Sequence, residues 1–176
     1  VQVCDSTYGK NGWLGVAQIW VSGVHITQGT TKLNDTYFNT AKYNTTPWRN
    51  LVMCQEVGHT LGLDHQDEAF DNPNLGTCMD YTSNPESNQH PNEHDYEQLE
   101  IIYGHTDAGT TVAETSTGSN MPSAMTEIDY AERAQWGKLI RSSKNGLKEV
   151  YLLDFGRGPK LYTFVTWAEG EGRGRK

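Results

Sequence analysis

Residues 12–21 set bulky apolar side chains against small or polar ones in alternation, the period of a strand that buries one face. Shorter extended pieces follow at 24–28 and 31–34. Thr46-Pro47 then opens a helix expected over residues 47–61, with the threonine as N-cap and the proline at the first helical position. Residues 82–91 are rich in Ser, Asn and Pro and are expected to be loop, and Pro91 stands where a further helix starts. Residues 106–123 are dominated by Thr, Ser, Gly and Ala and carry few apolar anchors, the composition of a linker. Beyond them, Ile128, Ala131, Trp136 and Leu139 have helical spacing, so residues 128–140 are expected to form a helix. Residues 149–155 and 160–168 read as two strands joined by Gly156-Arg157-Gly158-Pro159, a hairpin. The pattern predicts an α+β chain in three parts: a unit over 1–105, the linker 106–123, and a small helix-plus-hairpin extension over 124–176.

Composition adds a limit on partners. Mean hydropathy is −0.69 over 176 residues, and no apolar run reaches the length of a membrane span. The net charge of −8 is unevenly placed. Residues 1–123 hold 4 Lys and Arg against 15 Asp and Glu, whereas residues 124–176 hold 10 against 7. All 6 histidines lie in the acidic part. The candidate metal chemistry and the acidity therefore share one unit, and an acidic face does not suggest nucleic-acid binding. The chain opens at Val1 with no signal stretch, so a processed product or a piece of a longer chain is expected.

The candidate chemistry is concentrated in residues 55–65, Gln-Glu-Val-Gly-His-Thr-Leu-Gly-Leu-Asp-His. Positions 55 and 59 are four apart, so on a helix they share a face. Gly62 can take positive φ, end the helix and turn the chain back toward it, bringing His65 beside His59. Two imidazoles and a neighbouring carboxylate suit a metal ion that activates water with Glu56 as general base. Only Gln55 departs from the pattern H-E-x-x-H-x-x-G-x-x-H. Its amide oxygen is a weaker zinc donor than imidazole. Gln55 could ligate through that oxygen, be replaced by water or another side chain, or leave the site without metal.

With Cys78-Met79-Asp80-Tyr81 downstream, the chain resembles the metzincin clan of zinc endopeptidases, in its reprolysin-like or matrixin-like secreted bacterial forms. That resemblance spans roughly residues 11–104. It implies a twisted sheet, a zinc helix, a methionine turn at Met79 and a closing helix over 91–104. It also implies that the first strands and a backing helix lie upstream of the sequence given. By the same resemblance, Zn2+ is held by His59, His65 and Gln55, Glu56 is the catalytic acid/base, and Tyr81 stabilises the oxyanion. Met79 and Gly62 would be structural supports, and Gly15, Val16 and Ala17 would form an edge strand along which an extended peptide substrate pairs. Cys54 and Cys78 lie on segments that meet beneath the metal in this clan, which implies a disulfide and a secreted protein. Cys4 is left over, and three buried free thiols are the other possibility. Asp64, Asp67, Glu68, Asp71 and Asn72 form an oxygen-rich loop that could hold Ca2+, but its spacing is not that of an EF-hand and a solvated acidic loop accounts for it better. The expected function is a secreted zinc endopeptidase acting on protein or peptide. The alternative is a catalytically dead binding module on the same fold.

Overall fold

The computed structural model describes residues 1–105, 129 and 131–171. The expected linker, residues 106–123, lies outside them. The described chain is α+β, built on a six-stranded mixed sheet with few helices. Its strands are β1 (Gln2–Ser6), β2 (Trp13–Ser22), β3 (His25–Asn34), β4 (Lys138–Ser142), β5 (Lys148–Asp154) and β6 (Lys160–Trp167), in the order β1-β3-β2-β6-β5-β4. β1 runs parallel to β3, and every other pairing is antiparallel.

The helices are α1 (Asp35–Phe38), α2 (Thr46–Thr60) and α3 (Glu93–Tyr103). Thr45, not Thr46, caps α2, accepting from the Trp48 amide at 3.4 Å, because Thr46 has already entered the helix. α3 starts with a reciprocal capping box between Asn92 and Asp95, which satisfies two amides that the first turn would leave unpaired. No described helix is long and apolar enough to cross a membrane.

Three expectations change. The two extended pieces at 24–28 and 31–34 are one strand, β3, because β1 and β2 pair along both its edges. The helix expected over 128–140 is absent from its described part. Arg133–Gln135 is a single 3₁₀ turn, Gly137 takes φ +87, and Lys138–Ser142 is strand β4. A Cβ on Gly137 would lie 2.3 Å from the Leu152 carbonyl oxygen, so the chain bends against β5 where only glycine fits. Ile128, which opened the supposed helix, is not among the described residues. Finally, β4–β6 extend the same sheet that β1–β3 begin, so the sheet runs across the division drawn at residue 124.

α2 lies on one face of this sheet and packs most closely where glycine permits. A Cβ on Gly15 would meet Val52 Cγ1 at 2.5 Å and Glu56 Cγ at 2.8 Å. Leu14, Leu33, Phe38, Tyr43, Val52 and Ala168 form one cluster of the core on this side. A second cluster of Trp13, Val16, Trp136, Tyr151, Val165 and Trp167 includes the residues that alternate away from α2.

Candidate functional site

Cross-strand register decides what α2 faces. Gly15, Thr166 and Lys148 pair in one row across β2, β6 and β5, and Ala17, Phe164 and Val150 form the next row in the same direction. Gly15 meets α2 at Glu56, so both rows point at the helix face that carries Gln55, Glu56 and His59. The motif is therefore enclosed between α2 and the central strands. Gln55 and Glu56 are fully buried, and His59 and Tyr81 are each 1% exposed.

Lys148 is the residue the sequence did not announce. Its ammonium donates to Gln55 Oε1 and, at 2.8 Å, to Thr166 Oγ1. The Thr166 hydroxyl lies 2.6 Å from Glu56 Oε1, to which it donates, and 3.2 Å from Gln55 Oε1. Gln55 Nε2 donates to the Cys78 carbonyl at 2.9 Å, which fixes the amide with its oxygen toward Lys148. The Ala17 amide adds a backbone hydrogen bond to Glu56. Nothing local marks Lys148 or Thr166. Both reach the motif only because β5 and β6 align with β2, a long-range register that no short pattern encodes.

The two histidines meet as the motif spacing requires. Gly62 adopts φ +91, and the chain turns there so that the His59 and His65 rings are 4.5 Å apart, edge to face. His59 Nδ1 lies 2.9 Å from the Leu63 carbonyl oxygen. This geometry places the proton on Nδ1 and leaves Nε2 as the nitrogen with a lone pair. Phe164 of β6 stacks on His59 at 4.2 Å, and Tyr81 packs against His65 at 4.3 Å. Met79 is completely buried beneath α2, with its Sδ 2.6 Å from where a Cβ on Gly58 would sit. The Cys54–Cys78 disulfide is formed, its Cα atoms 5.9 Å apart, and ties α2 to the Met79 turn. Cys4 is free.

Gly15, Val16 and Ala17 do not offer a free edge. β3 pairs with β2 on one side and β6 on the other, so the course expected for a substrate is filled by the chain's own residues. The acidic loop is also engaged in part. Arg141 donates to both Asp64 oxygens, and Asp67 accepts from the Ala69 amide at 2.7 Å and from Asn72.

Burial sets the charge states. It drives His59 well below the ordinary imidazole range and His65 down to about 4, so both rings are neutral near pH 7. Burial also pushes Glu56 up and Lys148 down, while the attraction between them opposes both shifts. Glu56 Oε2 and His65 Nε2 are buried without a hydrogen-bond partner, and His65 Nδ1 lies 3.6 Å from Asp64 Oδ1, beyond hydrogen-bond reach. Two neutral imidazoles this close, one of them with unsatisfied nitrogens, suit a metal ion. The third position does not suit one while Lys148 holds Gln55 Oε1. Among the described residues, no three His, Cys, Asp or Glu side chains converge in a group that could hold a metal. The chain matches no protein-family profile, no curated protein and no solved structure.

Proposed function

We propose that this chain is a secreted, metzincin-like zinc endopeptidase held in a self-closed form. The observation that carries the reading is the placement of β6, which lies antiparallel on β2 directly over Glu56 and His59. That is the course an extended peptide would take to present its backbone to the same groups. The disulfide fits an oxidising compartment.

In the open form, the backbone groups of β2 now paired with β6 would pair with substrate and orient the scissile bond. Glu56, buried against low-dielectric walls, is poised to accept a proton from attacking water at Oε2 and to return it to the leaving amine. Tyr81, packed on His65, would donate its hydroxyl proton toward the developing oxyanion. His59 and His65 would hold zinc, with Gln55 as an additional oxygen donor, and the ion would supply Lewis acidity. A cavity of about 190 Å³ beside the cluster, walled by Leu14, Tyr43, Trp48 and Phe70, has room for an apolar substrate side chain.

The second reading is a non-catalytic binding module, and the contact between Gln55 and Lys148 favours it. The deciding experiment measures cleavage of an unfolded reporter protein with added zinc, comparing wild type, Lys148→Met and each in a Glu56→Gln background. Zinc-dependent cleavage that Glu56→Gln abolishes supports the peptidase. Folded, zinc-loaded protein that cleaves nothing in either background leaves the binding module.

A further inference from the structure

We propose that the Lys148 ammonium is an internal substitute for a metal cation, so that Lys148 and a divalent ion exclude one another at Gln55. The inference concerns the same site as the proposed function and rests on reading His59 and His65 as the ligand pair. Lys148 is nearly buried, at 6% exposed, and reaches the motif from β5, a strand about ninety residues away in the chain. Its Nζ lies against Gln55 Oε1, the oxygen at the motif's third ligand position, with Thr166 beside it and the Tyr81 ring centroid at 6.0 Å. Glu56, bridged through Thr166, supplies the counter-charge. One amide oxygen cannot hold an ammonium and a divalent cation together, because the two repel at contact distance with little solvent between them.

The structure also shows where the ammonium can go. Lys148 and Thr166 line the cavity beside Leu14, Tyr43, Trp48 and Phe70. The lysine's four-carbon stem can swing into that space while β5 stays in place. The strand is anchored on its opposite face by Glu149, which accepts from Trp167 Nε1 of β6 at 2.9 Å. Rotation of one side chain thus frees Gln55 without unpairing the sheet.

The test is zinc affinity of the intact chain, measured by competition with a chromophoric chelator, for wild type, Lys148→Met and Lys148→Gln. Removing the ammonium is expected to tighten zinc binding by roughly 10-fold or more, the scale on which neighbours of metal ligands act. The gain should disappear when His59→Ala is added. Equal affinity across the three proteins, or no zinc taken up by the folded variants, overturns the proposal. If the variants do not fold, wild type is labelled with an amine-acetylating reagent with and without millimolar zinc, using exposed Lys138 as the internal reference. Zinc should raise Lys148 labelling, and labelling that stays unchanged while zinc occupies the histidines overturns the proposal. A Lys148→Met protein that binds zinc but cleaves no peptide leaves the competition standing and removes the peptidase reading.

Discussion

Gly15 shows how little room the site leaves. Its missing Cβ is what lets α2 approach β2 until Val52 and Glu56 touch the strand. Gly15→Ala should destabilise the protein by about 1–3 kcal/mol in urea unfolding, as overpacking of a rigid interior does. An unchanged midpoint would mean that α2 sits farther from β2 than described. His65 gives a second test at this scale, with a definite sign. Its folded pKa lies below its unfolded value, so its contribution to stability is complete above about pH 6.5 and declines as pH falls toward 4. Glu56, raised by burial, acts in the opposite sense over an overlapping window, so the useful quantity is a difference between proteins. With chelator present, the stability advantage of wild type over His65→Leu should shrink by about 3 kcal/mol between pH 6.5 and 4. A constant difference would show that His65 titrates normally.

At the scale of elements, the disulfide is the feature most open to measurement. It joins residues 24 apart and fixes α2 to the turn that carries Met79. In the chain-entropy account, replacing both Cys54 and Cys78 by serine should cost about 3.5 kcal/mol, read from the shift in denaturation midpoint. A loss near zero would mean that the reduced turn is held by Met79 packing alone. The elements that were legible in sequence share a cause: their signals are local. Thr-Pro at the start of α2, Gly62 at its end, alternation in β2 and the glycines between β5 and β6 each act within a few residues. The failed helix over 128–140 marks the limit of that logic. Leu139 and Ile140 can satisfy either period, and pairing with β5 selected strand.

Over the whole molecule, the continuous sheet predicts cooperative unfolding. β2 is held between β3 and β6, so residues 138–167 and 13–60 should melt in one transition. Amide exchange should report the same opening free energy at Ala17 in β2 and Val165 in β6. Two separate transitions would show that β4–β6 form an independent unit, as composition alone suggests.

The sequence by itself determined the chemistry available: a carboxylate, two imidazoles and a turning glycine, each at a spacing that backbone geometry converts into proximity, whereas the pairing of Cys54 with Cys78 was decided by the fold. It also determined that position 55 carries an amide. Only tertiary structure decided what faces those groups. Lys148, Phe164 and Thr166 reach the motif because β6 pairs with β2 across about 150 residues of chain and carries β5 beside it, and such register depends on the whole sheet rather than on any local pattern. The same pairing turned β2 from a free edge into an interior strand and set an ammonium against the oxygen where the sequence led one to expect a metal.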